Sequence, residues 1–138
     1  MEYARISASG MDGLWELHRA YKREIGEDAP TEEDRAKLLR AIERGEILFY
    51  GAYDGGEPVG CCSVTVGFST FNYEKSGVFE DFYIRPDRRH RGIARGMVRF
   101  AYADSGVASL TVGCADCDTA LYSALGFTLK LGNLLAFE

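Results

Sequence analysis

No apolar run in the 138 residues approaches the length needed to span a bilayer. The first residues, Met1-Glu2-Tyr3-Ala4-Arg5, are charged and are not followed by an apolar stretch of signal-peptide length. The cytoplasm is therefore the expected compartment, and no membrane partner is expected. Basic excess is also missing: 16 Lys and Arg face 21 Asp and Glu, for a net charge of −5. Phosphate backbones attract basic surfaces, so no nucleic-acid partner is expected. An acidic balance suits a cationic small substrate, although solubility alone also accounts for it. Cysteine is sparse. Cys114-x-x-Cys117 has no second pair at matching spacing, so no metal site is expected. Cys61 and Cys62 are neighbours on a strand and point to opposite faces. The four thiols are expected to be reduced and mostly buried. A covalent role for Cys117, near a helix start, stays open.

No internal repeat and no low-complexity segment interrupts the chain, so residues 1–138 read as a single domain. A 46% hydrophobic content at this length is enough for one packed core. Tyr3 to Ser7 reads as a strand. Leu14, Leu17, Ala20, Tyr21 and Ile25 recur at helical spacing, with Gly26 as a stop. Thr31-Glu32-Glu33-Asp34 has the pattern of a helix cap, followed by apolar Leu38, Leu39 and Ile42. Ile47–Tyr53 and Val59–Phe68 are strands joined by a turn at Asp54-Gly55-Gly56. Ser69–Gly77 reads as a loop, Val78–Ile84 as a strand, Ile93–Asp104 as a helix and Ser109–Cys114 as a strand. Asp118–Leu125 is a short helix. Phe127–Leu131 and Leu134–Phe137 flank Gly132-Asn133 as a final hairpin. The order β-α-α-β-β-β-α-β-α-β-β implies an α/β fold, with a mixed twisted sheet flanked by helices.

One junction constrains function more than the rest. Arg89-His90-Arg91-Gly92-Ile93-Ala94 lies between a strand and a helix. Backbone N–H groups at a helix start lack partners, and the helix dipole favours an anion there. Gly92 lets the backbone approach an anion closely, and Ala94 stays small for the same reason. The glycine spacing Gly92-x-x-x-Gly96 fits neither the dinucleotide fingerprint nor the phosphate loop of nucleotide hydrolases. Glu80, by strand alternation, shares a face with Val78, Phe82 and Ile84, where loss of hydration would make it a better base. Asp81 would share the other face with Phe79 and Tyr83. A local bulge would change which carboxylate faces a substrate, so the choice between them stays open.

Arg89-x-x-Gly92-x-Ala94 after a strand resembles the acyl-CoA pyrophosphate motif of the GNAT superfamily of N-acetyltransferases. Tyr122-Ser123-Ala124-Leu125-Gly126-Phe127 resembles its second motif, and the element order is similar along essentially the whole chain. A closer resemblance, to the diamine (spermidine/spermine) and thialysine acetyltransferase branch, lies in Phe68-Ser69-Thr70-Phe71 and Phe79-Glu80-Asp81-Phe82-Tyr83-Ile84. The resemblance implies acetyl-CoA as co-substrate, with its diphosphate on the backbone and side chains of Arg89, His90, Arg91, Gly92, Ile93, Ala94 and Arg95. Phe82, Tyr83 and Ile84 would hold the pantetheine through their backbone, and one N–H there would face the thioester carbonyl. Tyr122 would be the acid for the departing thiolate and Glu80 the base for the amine. Many relatives carry an asparagine early in the last helix. Here Asp116 or Asp118 takes that place, or one simply caps the helix.

The implied reaction is acetyl transfer to a primary amine of a small molecule, polyamine or lysine-like, by direct attack. Asp81, Glu27 and Asp28 would bind the amine. The alternatives are acetylation of a protein amine, or an acyl-CoA-binding regulatory domain without catalysis. The resemblance also leaves a homodimer open, with the final hairpin at its interface.

Overall fold

The computed structural model describes all 138 residues. Five strands form one sheet in the order β1 (Glu2–Ile6), β2 (Ile47–Asp54), β3 (Glu57–Ser69), β4 (Glu74–Ile84) and β5 (Ser109–Thr111). The first four are antiparallel neighbours, and β5 runs parallel to β4. Helices α1 (Met11–Glu24) and α2 (Glu32–Glu43) cover one face, and α3 (Ile93–Ser105) and α4 (Thr119–Ala124) cover the other. No helix is long and apolar enough to cross a membrane.

Strand alternation builds two cores from one sheet. Phe49, Cys61 and Tyr83 pack against Met11, Leu14, Trp15 and Leu17 of α1. Tyr50, Ala52, Cys62, Val64, Phe79 and Ile84 pack against Ile93, Met97, Val98 and Ala101 of α3. Adjacent Cys61 and Cys62 thus lie in different cores, as their spacing predicts. All four cysteines are free, but Cys114 and Cys117 are exposed rather than buried. Helix α2 begins with a reciprocal cap. The Asp34 N–H donates to Thr31 Oγ1 at 3.1 Å, and the Thr31 N–H donates to Asp34 Oδ2 at 2.8 Å.

The structure departs from the sequence pattern at three places in the strands. The expected loop Ser69–Gly77 is shorter, because β4 already starts at Glu74 and pairs with Ser69. The expected strand Ser109–Cys114 pairs only through Thr111. The expected strands Phe127–Leu131 and Leu134–Phe137 are not formed, and the chain beyond Gly126 follows no regular element. A hairpin of two short strands is marginal without a third strand or a helix to cover it, and this segment has neither. Phe127 alone is anchored, its ring against Phe79 and Tyr122.

The β4–β5 pairing ends early. Only Ser76, Gly77 and Val78 of β4 pair with β5. From Phe79 to Ile84 the edge of β4 that faces β5 is left without a neighbouring strand, so the sheet opens there.

Candidate active site

The junction after β4 is a tight turn that leads straight into α3. His90 and Gly92 both take left-handed backbone, at φ 63° and 80°, and α3 starts immediately at Ile93. Left-handed residues in a tight turn can direct neighbouring N–H groups toward one concave point. Gly92 makes no side-chain cap, and a Cβ placed on it would meet nothing within 4 Å. The glycine is needed for its φ, and the space above it is open to a ligand. The first helical bond is Gly96 N–H to the Gly92 carbonyl at 3.3 Å, which leaves the amides of Ile93, Ala94 and Arg95 outside the helix ladder. Gly96 itself serves packing, since a Cβ there would collide with the Tyr3 hydroxyl oxygen.

The arginines of the turn divide their tasks. Arg89 Nε donates to the Ile84 carbonyl at 2.8 Å, and its Nη2 pairs with Glu24 at 2.6 Å. Its guanidinium lies 5.5 Å from the Tyr83 ring centroid. Arg89 therefore ties the turn to β4 and α1. Arg95 Nη2 donates to the Ala124 carbonyl at 3.0 Å and so ties α3 to α4. His90 and Arg91 are exposed.

Strand β4 carries a bulge. Cys61 pairs with Tyr83 and Ser63 with Glu80, so Cys62 alone faces both Asp81 and Phe82. Asp81 takes φ 53°, left-handed inside a strand. The extra residue resets the alternation. Phe79, Phe82 and Ile84 belong to the α3 side, and Tyr83 belongs to the α1 side. Asp81 turns toward α1, where it lines a cleft. The expected sharing of one face by Glu80, Phe82 and Ile84, and of the other by Asp81 and Phe79, is corrected: both carboxylates lie on the α1 side. Tyr21 of α1 feels both of their charges, which, after burial, help push its hydroxyl up to about 12.

Glu80 is raised above its ordinary value, by partial loss of hydration first and by the Asp81 charge second, with Lys22 opposing. Its side chain is exposed, so solvent screens these charges. Asp81 accepts from Ser63 Oγ at 2.5 Å. The cleft of about 390 Å³ is lined by Trp15, His18, Lys22, Glu27, Asp28, Pro30, Asp34, Leu38 and Asp81. The three residues expected to bind an amine, Asp81, Glu27 and Asp28, are thus brought together. Glu27 is partly neutralised by Lys22 at 3.1 Å. Glu80 does not line this cleft.

His18 was not anticipated from the sequence. It is buried between Trp15, Tyr21 and Phe49, with ring centroids 5.6, 6.2 and 5.5 Å away. Its Nδ1 has no hydrogen-bond partner. Burial lowers its pKa, against a pull upward from Asp81. The available signal was a histidine one turn after Leu14, inside the apolar stripe of α1.

Tyr122 is half-buried on α4, with its ring against Phe82 and Phe127 at 6.3 and 6.0 Å. Burial, then the charges of Asp118 and Cys114, raise its pKa. It keeps its proton at neutral pH and so has one to offer a leaving group. Asp118 occupies the position before α4 but makes no side-chain cap, and Asp116 lies in the short 3-10 turn ahead of it.

The fold is an α/β layer structure: an open-edged mixed sheet with a left-handed glycine turn at its strand-to-helix junction. The family model described as "Acetyltransferase (GNAT) domain" matches residues 45–129, more than half of the chain. The chain belongs to the GNAT acetyltransferases. No curated protein matches the sequence. The fold is similar to that of a predicted acetyltransferase with acetyl-CoA from Clostridium acetobutylicum, with TM-score 0.80 and 13% identity over 99% of this chain and 95% of that one. It is also similar to an aminoglycoside acetyltransferase from an uncultured soil metagenomic sample, in complex with sisomicin. The TM-score is 0.84 and the identity 12%, over 99% and 94% of the two chains. For glucosamine-6-phosphate N-acetyltransferase from Arabidopsis thaliana, the TM-score is 0.73 and the identity 16%, over 99% and 97%.

Proposed function

We propose that this chain transfers acetyl from acetyl-CoA to a primary amine of a small molecule, polyamine or lysine-like. The observation that carries the reading is one of placement. Asp81 of the acidic cleft lies in β4 just before Phe82–Ile84, whose other edge is open, and the turn at Gly92 follows that strand, with Arg89 bonded back to the Ile84 carbonyl. The amides from Ile93 to Arg95, with the exposed His90 and Arg91, suit a diphosphate. Arg89 braces the turn from behind. The open edge at Phe82, Tyr83 and Ile84 offers backbone groups to the amides of pantetheine, much as a strand pairs with a peptide.

In this reading the amine arrives as an ammonium, drawn by Asp81, Glu27 and Asp28. An alkylamine has a pKa near 10, so it must lose a proton before it attacks. Glu80 takes that proton, directly or through a water. The nitrogen then bonds to the acetyl carbon, the carbon–sulfur bond breaks, and the thiolate takes a proton from Tyr122; the nitrogen sheds its surplus proton to solvent, and Tyr122 regains one from solvent. Holding the two reactants together supplies much of the acceleration.

An acetylation screen with free CoA as readout tests this. Turnover is expected with 1,4-diaminobutane, spermidine or lysine. Turnover confined to peptides would replace this reading with protein acetylation. Acetyl-CoA binding without turnover on amines or peptides would replace it with a binding domain.

A homodimer belongs to the same reading. Leu129, Leu131, Leu134, Leu135 and Phe137 are 72–103% exposed, an apolar surface that a second copy would cover. Sedimentation of the chain with and without residues 129–138 tests it: the truncated chain is expected to be monomeric.

A further inference from the structure

Asp81 is a non-glycine residue in left-handed backbone in the middle of a strand. Such a conformation persists only where the surroundings over-determine it, and it concentrates at functional sites. The surroundings here come from β3. Ser63 is fully buried, and its hydroxyl donates to Asp81 Oδ2 at 2.5 Å. The Cys61 thiol approaches the Asp81 carbonyl at 3.7 Å, a much weaker hold. Ser63 is also the register partner of Glu80. A buried polar side chain in the central strand of a sheet is costly unless its hydrogen bond is made, and this one is spent on the bulge.

The consequence for chemistry is specific. In a regular strand, consecutive residues point to opposite faces, so two adjacent carboxylates cannot serve one site. The bulge at Asp81 removes that restriction. We infer that Ser63 is a positioning residue: through Asp81 it fixes the bulge that sets Glu80 and Asp81 side by side on the acceptor face. Asp81 then lines the cleft beside His18 and Lys22 as a fixed negative charge for the ammonium. Glu80, one residue upstream, is left as a separate proton acceptor. Two neighbouring acids in unlike surroundings divide their roles in this way. The charged and titratable groups facing Glu80 are Asp81 on its own strand and Lys22 and Tyr21 on α1, while β3 contributes only the uncharged Ser63. The inference rests on the reading of Glu80 as the base.

The test compares the parent with Ser63→Ala, which removes the donor, and Ser63→Thr, which keeps it. Two readouts are taken. One is the initial rate with acetyl-CoA and 1,4-diaminobutane across the pH range. The other is the titration of the Glu80 carboxyl carbon by NMR, assigned with Glu80→Gln. For Ser63→Ala, the KM for the diamine is expected to rise roughly tenfold, the value of one lost charge-assisted contact. The KM for acetyl-CoA should stay within about twofold of the parent. The Glu80 midpoint should fall toward that of an ordinary glutamate, and Ser63→Thr should restore both values. A Ser63→Ala protein that melts lower but keeps its Glu80 midpoint and its diamine KM would overturn the inference. A parent that binds acetyl-CoA yet acetylates no amine sinks the functional reading alone. The NMR titration then still decides whether Ser63 sets Glu80.

Discussion

The ring of Phe82 on β4 meets the ring of Tyr122 on α4 at 62°, with centroids 6.3 Å apart. This contact joins the open edge of the sheet to the last helix. It holds the Tyr122 hydroxyl by packing alone, because that hydroxyl makes no side-chain hydrogen bond of its own.

Tyr122→Phe keeps both aromatic contacts and removes only the hydroxyl that carries the proton. Its melting temperature should match the parent's. At saturating substrates kcat should fall by roughly 100-fold, the lower range for loss of a general acid. Both KM values should hold. A variant that acetylates as fast as the parent would remove Tyr122 from the mechanism.

Two glycines four residues apart should fail differently. Gly92→Ala forces a side chain into left-handed backbone, at a cost of about 1–2 kcal/mol. It should weaken acetyl-CoA binding as the turn relaxes. Gly96→Ala drives a methyl into Tyr3 and strains the α3–β1 contact, for about 1–3 kcal/mol of stability. Chemical denaturation paired with acetyl-CoA titration separates the two. If Gly92→Ala binds acetyl-CoA normally, the turn is not the diphosphate site.

Glu80 gives a pH signature with a definite sign. Its folded pKa is raised, so the folded state holds its proton more tightly than the unfolded chain does. The stability it contributes is present below the unfolded value near 4.3 and is lost as pH rises through the folded value. Glu80→Gln should therefore be no less stable than the parent at neutral pH, while its amine turnover falls. Melts at about pH 4 and pH 7, with rates at pH 7, check both halves. A Glu80→Gln enzyme at parental rate would move the base elsewhere.

His18 works in the opposite direction. Its folded pKa is lowered, chiefly by burial, so it contributes stability above the unfolded value near 6.5. That contribution is lost as pH falls through the folded value. Denaturant midpoints should drop between about pH 7 and pH 5, and His18→Phe, which keeps the stacking, should flatten that drop. An unchanged slope in His18→Phe would assign the pH dependence to other groups.

Helix positions were legible along the chain because they follow from local rules. The apolar stripe of α1, the Thr31–Asp34 cap and the left-handed Gly92 before α3 are each set by a few neighbouring residues. The final hairpin was misread for the same reason. Its alternation and Gly132-Asn133 turn are locally sound, but pairing needs a neighbour that the fold does not bring. His18 was overlooked because its surroundings come from Trp15 and Tyr21 on its own helix together with Phe49 of β2, far along the chain.

By itself the sequence determined the alternation of strands and helices and the tight turn that Gly92 permits before α3. It also placed Tyr122 on a helix stopped by Gly126. These are outcomes of backbone preference and short-range spacing. Only the tertiary structure decided which face the two carboxylates take. Alternation separates Glu80 from Asp81, and one hydrogen bond from Ser63, 18 residues away, helps bring them together. A bulge is a matter of register between two strands, and register is fixed by what the partner strand presents, not by the residues of the bulged strand alone.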